Sequence, residues 1–318
     1  MQLPVELIVF SIGMRTRFRG LDVREGVLLQ GPAGWGEFAP FAEYDPTECM
    51  PWLGAAREAA FDGWPAPVRD RIPVNVTIPA CGPQQAYDLA RDSGCRTAKV
   101  KVAERGQSLA EDLERVEAVR DALGPAARIR VDANGAWGVD EAVAAIALLH
   151  RFDLEYVEQP CETVAQLAAV RRKVNVPIAA DESIRRASDP FLVARQEAAD
   201  IAVVKVAPLG GVRAALEIVE RIGLPAVVSS ALDTSVGIAA GVALAAALPE
   251  LPYACGLATV ALLQRDVVAE PFLPVDGFLT VRRPEPDISL LEAVAASAET
   301  AQAWRERIAA VERAERSR

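Results

Sequence analysis

Four charged residues each close a short apolar run in the middle of this 318-residue chain, at nearly constant intervals. Asp132, Glu158, Asp181 and Lys205 follow one another at intervals of 26, 23 and 24 residues. A strand, a loop, a helix and a return loop take about that much chain, so the spacing predicts repeated β/α units. Because the carboxyl ends of parallel barrel strands share one rim, we expect these side chains to converge there.

The alternation of apolar runs and amphipathic segments from Pro73 onward predicts an α/β protein built on a TIM-type (β/α)7β barrel. No glycine-rich phosphate fingerprint follows the first strand, which disfavours an open doubly wound sheet. We expect strands near 73–78, 97–102, 128–132, 155–158, 177–181, 201–205, 225–229 and 252–256.

The N-terminal part of the chain lacks this alternation of strands and helices, and its pattern predicts an α+β capping domain over residues 1–72. A turn at 31–34 between two apolar runs predicts a β-hairpin. A helix is expected from Pro46 to Phe61, with a break or a later start caused by Pro51.

The barrel catalytic domain is expected to cover residues 73–265, after which the pattern changes again. The pattern of residues 275–283 predicts part of another β-hairpin, and that of residues 289–318 predicts an amphipathic helix with a highly charged end. We expect the segment 266–318 to return to the capping domain, and the alternative for the helix 289–318 is a frayed helix in solvent.

Bulk properties exclude several classes of protein. A net charge of −10 and a pI near 4.9 argue against nucleic-acid binding. The sequence contains no apolar run near the ~18 residues of a membrane span and no evident signal peptide. Five cysteines without metal-ligand or redox spacing suggest a reducing compartment, and we expect a cytoplasmic protein. The oligomeric state is not predicted.

The three carboxylates of Asp132, Glu158 and Asp181 predict a metal site. Hard divalent cations such as Mg²⁺ prefer oxygen ligands and keep open positions for water or substrate. The alternative is that each acid caps the helix that follows it, but three acids in register favour the metal. Asn134 and Glu182 are expected to support these ligands.

Lysines supply the second half of the predicted site. Lys99 and Lys101 lie two apart on one strand and therefore face the barrel interior together, while Lys205 approaches from the other side. A low-dielectric pocket and a nearby cation both lower a lysine's pKa, as a general base requires. Lys99 is expected to pair with an acid, and Lys101 and Lys205 to act on the substrate. His150, the one histidine, is expected at a helix end.

Five short motifs in this order resemble the muconate-lactonising branch of the enolase superfamily, over nearly the whole chain. The capping module with its Gly-Trp-Gly-Glu turn (34–37) fits the same resemblance. The motifs are Lys99-Val-Lys101, Asp132-Ala-Asn134, Glu158-Gln159-Pro160, Ala180-Asp-Glu-Ser183 and Lys205.

The resemblance implies a Mg²⁺ ion, replaceable by Mn²⁺, on Asp132, Glu158 and Asp181, and removal of a proton α to a carboxylate. The metal would stabilise the resulting enediolate. Within the branch, the loop 229–238 and the short cap resemble the o-succinylbenzoate synthase family. That implies a hydro-lyase of menaquinone biosynthesis, which converts 2-succinyl-6-hydroxy-2,4-cyclohexadiene-1-carboxylate to 2-succinylbenzoate by syn dehydration.

The same resemblance implies roles for single residues. Lys101 would remove the α proton and then protonate the departing hydroxyl, and Lys205 would stabilise the enediolate from the other face. Backbone groups around Ser229, Ser230 and Gly256 would receive the succinyl carboxylate. The stretch with Arg15, Arg17 and Arg19 either lies in a cap loop over the pocket, with one of the three facing it, or supplies surface charge alone.

Other functions remain open at this point. An N-acylamino acid racemase, for example one acting on N-succinylamino acids, would use both lysines in alternation. A dipeptide epimerase is disfavoured because the eighth strand lacks an acid for a substrate ammonium. A Schiff-base aldolase could use a barrel lysine but needs no set of register-matched carboxylates. A binding protein without catalysis is disfavoured by the intact set of charged positions.

Overall fold

A computed structural model describes residues 7–185 and 189–317. In these residues the strands are β1 (Leu7–Phe18), β2 (Leu21–Gly31), β3 (Gly34–Phe38), β4 (Arg71–Pro73), β5 (Val76–Ile78), β6 (Thr97–Lys101), β7 (Arg128–Asp132), β8 (Leu154–Glu158), β9 (Ile178–Ala180), β10 (Ile201–Val204), β11 (Ala226–Val228) and β12 (Phe278–Thr280).

The helices connect and cover these strands. They are α1 (Pro46–Arg57), α2 (Pro83–Asp92), α3 (Leu109–Leu123), α4 (Val139–Leu149), α5 (Val164–Arg171), α6 (Glu182–Arg185), α7 (Leu192–Arg195), α8 (Val206–Leu209), α9 (Val212–Ile222), α10 (Ser235–Ala247), α11 (Ile288–Ala293) and α12 (Ala298–Arg316). Shorter helical turns lie at Glu58–Asp62, His150–Phe152 and Thr259–Leu262.

The N-terminal module is an antiparallel sheet in the order β1-β2-β3 with α1 packed against it. The expected hairpin is confirmed, since Gly31 pairs with Gly34 across the turn. The expected effect of Pro51 is wrong: α1 runs from Pro46 to Arg57 with Pro51 inside it. The Asp45 side chain caps the first turn, and buried residues such as Trp52 hold the helix on the sheet, which outweighs the hydrogen bond that proline cannot donate.

The barrel is confirmed. Among the described residues, one sheet holds seven parallel strands in the order β11-β10-β9-β8-β7-β6-β5. The expected eighth strand is reduced to single bridges, in which Cys255 pairs with Val74 and Gly256 pairs with Ser229. These bridges lie beside β5 and β11, so the segment 252–256 occupies the closing position without forming a regular strand.

The segment after the barrel differs from its prediction in two ways. β12 pairs antiparallel with β4, and the expected hairpin is reduced to one antiparallel bridge in which Val275 and Phe278 exchange backbone hydrogen bonds across a two-residue turn. The expected strand 73–78 is divided between β4 and β5. The expected helix over 289–318 is divided into α11 and α12 by a break in which Ala295 bridges to Phe10 of β1. Helix α12 packs on the N-terminal sheet through buried residues such as Trp304. The domain limits at 72/73 and 265/266 stay a prediction.

Several smaller expectations concern individual side chains. His150 follows α4 directly as its C-terminal cap, as predicted. The five cysteines are buried free thiols. Within residues 7–185 and 189–317, no helix combines the length and the apolar character needed to cross a membrane.

Candidate active site

The register of the barrel strands brings the charged side chains to one rim. Lys101 at the end of β6 pairs with Asp132 at the end of β7, which pairs in turn with Glu158 at the end of β8. Asp181 and Lys205 directly follow β9 and β10. The three carboxylate residues are at most 1% exposed, so the rim forms a buried charged cluster.

Ion pairs connect each of these acids to a lysine. Lys101 Nζ lies 2.6 Å from Asp132 Oδ2, and Lys205 Nζ lies 2.6 Å from Asp181 Oδ2. Lys99 Nζ donates to both Glu158 oxygens at 2.8 and 2.9 Å and lies 3.4 Å from Asp132 Oδ2. Lys99 thus pairs with acids, as expected, and joins Lys101, Asp132 and Glu158 in one chain of ion pairs, beside which Lys205 and Asp181 form a second pair.

The electrostatics of the cluster differ from acid to acid. Burial, followed by the nearby Asp132 carboxylate, raises the pKa of Glu158 to about 7. Burial would raise the pKa of Asp132 as well, but Lys101 and Lys99 outweigh it and hold that pKa well below its usual range. Burial lowers the pKa of Lys205, against the opposing effect of Asp181. Glu158 is therefore the carboxylate whose negative charge the lysines compensate least.

Additional residues position this cluster. Asn134 accepts a hydrogen bond from Lys101 Nζ and donates to Glu182 Oε1 at 3.2 Å, so both predicted supporting residues touch the network. Arg185, one helical turn beyond Asp181, donates to Asp181 Oδ1 at 2.9 Å and to Tyr44 Oη at 2.6 Å.

The sequence interpretation missed Arg185, Tyr44 and Gln159. Gln159 Oε1 accepts the backbone N–H of Asp181 at 2.9 Å and thereby fixes the start of the loop after β9. The i, i+4 spacing of Asp181 and Arg185 was a usable signal for a helical ion pair. Tyr44 lies 141 residues away from Arg185 in the chain, and no local pattern points to it.

The donor set fits a hard divalent cation by its chemistry, since it consists of carboxylate oxygens. As the side chains lie, no group of three or more His, Cys, Asp or Glu in residues 7–185 and 189–317 is arranged to hold a metal ion. The reason is visible in the ion pairs, because lysine ammoniums occupy the positions beside Asp132, Glu158 and Asp181. The raised pKa of Glu158 marks the place where additional positive charge is favourable.

A cleft lies over this cluster, between the barrel rim and the cap. Its wall includes both Lys101 and Lys205. The cap contributes Phe18 and Arg19, at the turn between β1 and β2, to the wall of the cleft. Lys101 Nζ lies 5.4 Å from the centre of the Phe18 ring.

Of the three cap arginines, Arg19 is the one that lines this cleft. Its guanidinium stacks 4.0 Å from the centre of the Phe41 ring and pairs with Glu43 at 3.1 Å. Arg15 instead donates to the backbone carbonyl of Leu263, and Arg17 pairs with an exposed aspartate in the same hairpin.

The cleft wall also contains Ser229 and Ser230, while Gly256 lies behind them. The backbone N–H groups of all three residues already donate to barrel carbonyls, at 2.8 to 3.0 Å. A carboxylate therefore finds no free backbone donor at these residues, which alters the expectation made from the sequence. The serine hydroxyls remain as candidates for contact with a ligand.

Two family models match the chain. Residues 9–60 match the enolase N-terminal domain-like family, and residues 83–286 match the enolase C-terminal domain-like family. The chain is 65% identical over 301 residues to the o-succinylbenzoate synthase of Thermobifida fusca (strain YX), covering 95% of this chain and 94% of that protein. It is 58% identical over 306 residues to the o-succinylbenzoate synthase of Mycobacterium tuberculosis (strain ATCC 25618 / H37Rv), covering 96% and 93%.

Solved structures share the fold at low identity. A muconate lactonizing enzyme from Pseudomonas fluorescens complexed with muconolactone superposes with a TM-score of 0.79 at 22% identity, covering 92% of this chain and 98% of that one. A dipeptide epimerase from Enterococcus faecalis V583, complexed with Mg and a dipeptide, superposes with a TM-score of 0.71 at 21% identity, covering 89% and 97%.

Proposed function

This chain belongs to the enolase superfamily and, within it, to the o-succinylbenzoate synthases, and from that membership we propose how its residues carry out the reaction. The reaction is the syn dehydration of 2-succinyl-6-hydroxy-2,4-cyclohexadiene-1-carboxylate to 2-succinylbenzoate and water, a step of menaquinone biosynthesis. The observation that carries the assignment to these residues is the set of lysines and carboxylates on consecutive strand ends under one cleft.

Lys101 is the proposed base and acid. Its side chain lines the cleft beside Asp132, on the end of β6. As a free amine it takes the α proton of the substrate, and the electron pair of that C–H bond moves onto the adjacent carboxylate to give the enediolate. The pair then returns to form the ring C=C bond as the hydroxyl departs. When the C–O bond breaks, the Lys101 ammonium returns a proton to the departing hydroxyl, which leaves as water. One group on one face accounts for the syn course.

Lys205 is the proposed electrostatic partner. It lines the same cleft from the end of β10, and Asp181 holds its ammonium at 2.6 Å. A fixed cation directed at a developing negative charge stabilises the transition state more than the ground state. Lys99 stays with Glu158 and Asp132, where it keeps the buried carboxylates compensated.

The proposed metal ligands are Asp132, Glu158 and Asp181. A bound Mg²⁺ would supply a Lewis acid for the substrate carboxylate and would compete with the lysines for these acids. Burial and the neighbouring Asp132 raise the pKa of Glu158 to about 7, so Glu158 gains most from the additional positive charge. Mn²⁺ has the same preference for oxygen ligands and is expected to substitute.

The succinyl arm is proposed to lie toward the wall formed by Ser229, Ser230 and Arg19. The guanidinium of Arg19 sits over Phe41 and pairs with the exposed Glu43, and its place in the cleft wall lets a substrate carboxylate approach it. We propose that the protein acts in the cytoplasm, consistent with five free thiols.

A second activity, racemisation of N-succinylamino acids, is favoured by one specific observation. Lys101 and Lys205 both line the cleft but come from β6 and β10, which are separated by three strands in the sheet. Two lysines on opposite faces of one carbon can exchange its proton in either direction. The same cleft could therefore invert an α carbon that carries an N-succinyl group.

The test compares both reactions in one preparation with Mg²⁺ present. Formation of 2-succinylbenzoate is followed against racemisation of an N-succinylamino acid, in the wild type and in Lys101→Ala. We expect the wild type to dehydrate the cyclohexadiene and Lys101→Ala to lose both reactions. Lys173→Ala removes an exposed lysine on the outside of the barrel and serves as the matched control. Dehydration that survives Lys101→Ala would reject the proposed roles.

A further inference from the structure

The wall of the cleft includes a leucine in a backbone conformation that leucine rarely adopts. Leu232 has a φ of 63° and is 3% exposed, in the loop between β11 and α10. For a bulky residue the left-handed region is a true outlier, and such residues persist only where the surroundings enforce them. Because Leu232 lines the cleft, whatever enforces this conformation also shapes the site.

A buried arginine of the cap holds this turn. Arg24 on β2 is 3% exposed, and its Nε donates to the Leu232 carbonyl at 3.0 Å. Its Nη2 donates to the carbonyls of Ala231, at 3.2 Å, and Ala39, and Nη1 donates to the carbonyl of Glu25 at 3.3 Å. The guanidinium thus ties two carbonyls of the barrel loop to two carbonyls of the cap.

Two carboxylates complete the support of residues 231–234, which we call the pocket turn. Asp233 Oδ2 accepts the Ala231 N–H at 2.9 Å within the turn itself. Glu37 on β3 accepts the Thr234 hydroxyl at 2.6 Å and the Gly237 N–H at 3.0 Å. The pocket turn is therefore bonded from β2 on one side and from β3 on the other.

We propose that Arg24 is a positioning residue that keeps the pocket turn in its left-handed conformation, so that the cap sets the shape of the substrate cleft. The planar fork of a guanidinium reaches several carbonyls at fixed angles, which a lysine ammonium does not. The pocket turn carries none of the proposed reacting groups. Loss of its support accordingly acts on substrate binding more than on the chemical step, and this consequence rests on the proposed function.

The experiment places alanine and glycine in turn at position 232, each with Arg24 intact and with Arg24→Lys. Both substitutions remove the leucine side chain from the cleft, but only glycine adopts positive φ at no steric cost. With Arg24 intact we expect similar KM values for Leu232→Ala and Leu232→Gly, because the arginine enforces the turn. With Arg24→Lys we expect KM about tenfold higher for alanine than for glycine, with kcat changing by about twofold or less.

The outcomes separate this inference from the proposed function. A KM ratio of alanine to glycine that is equal in both backgrounds would overturn the role of Arg24, provided that the wild type dehydrates its substrate. A wild type without that activity overturns the proposed function instead. In that case, and also if Arg24→Lys does not fold, hydrogen exchange of the intact wild-type protein decides whether the pocket turn is held in one conformation.

The exchange experiment follows the backbone amides of Ala231, Thr234 and Gly237. Since each donates to a buried carboxylate, we expect exchange about a hundredfold or more slower than in an unstructured peptide. Exchange at the rate of an open loop would show a turn that is not held, and would contradict the inference.

Discussion

A buried carboxylate between cap and barrel offers a sharp test of the electrostatics. Burial, followed by the neighbouring Asp233 carboxylate, raises the pKa of Glu37 to about 8, against hydrogen bonds from Thr234 that lower it. The ordinary value is 4.5. Between these two pH values the folded protein keeps a proton on Glu37 that the unfolded chain has lost. The contribution of Glu37 to stability therefore falls as pH rises from 4.5 to about 8, and levels off above it.

The size of this fall follows from the shift in pKa. Each pH unit costs about 1.4 kcal/mol while the folded state holds one proton more than the unfolded state. From pH 5 to pH 8 the Glu37 side chain should accordingly remove about 4 kcal/mol from the free energy of unfolding. Glu37→Gln cannot ionise, yet its amide can still accept from Thr234, so the variant should lack most of this fall.

The assay is urea unfolding of the wild type and of Glu37→Gln at intervals from pH 5 to pH 9. Glu217→Gln, which removes an exposed carboxylate from α9, serves as the control for the change in net charge. We expect the difference in stability between Glu37→Gln and the wild type to move in favour of the variant by about 4 kcal/mol as pH rises to 8. Parallel curves for the two proteins would refute the reasoning.

Three further substitutions have effects of known direction. Lys99→Met should lower the free energy of unfolding by about 3–5 kcal/mol in urea titrations, because Glu158 loses its buried cation. Lys205→Ala should lower kcat about 10²–10³-fold in steady-state assays with KM changing less, since it removes charge aimed at the developing anion. Gly36→Ala would drive a Cβ into the backbone carbonyl oxygen of Ala56 in α1 and should destabilise by about 1–3 kcal/mol or more by the same urea method. Gly54→Ala inside α1 should not, because its Cβ would meet only an ordinary van der Waals contact, at 3.7 Å from the carbonyl oxygen of Gly210.

The sequence predicts the barrel rim well because two local regularities determine it. The β/α interval places each acid at a strand end, and parallel strands bring those ends together. The register of Lys101, Asp132 and Glu158 on neighbouring strands follows from that interval. The roles of the individual side chains stay a prediction, because only activity measurements test them.

What the sequence does not predict depends on contacts between distant segments. The pairing of β4 with β12 joins strands some 200 residues apart, and neither strand has a local pattern that specifies its partner. Pro51 stays inside α1 because the sheet buries that helix, a contribution that local propensity leaves out. Arg24 and Leu232 meet only because the cap folds over the barrel, so no motif marks the pair.

Loss of the substrate α proton to Lys101 is the central claim, and it can be measured directly. Single-turnover dehydration of the substrate carrying deuterium at the α carbon, with Mg²⁺ present, is compared in the wild type and in Lys101→Arg, which keeps the positive charge but cannot act as a neutral base. We expect a primary isotope effect in the wild type and no detectable turnover above background in the variant. Dehydration by Lys101→Arg at a rate near that of the wild type would contradict the account.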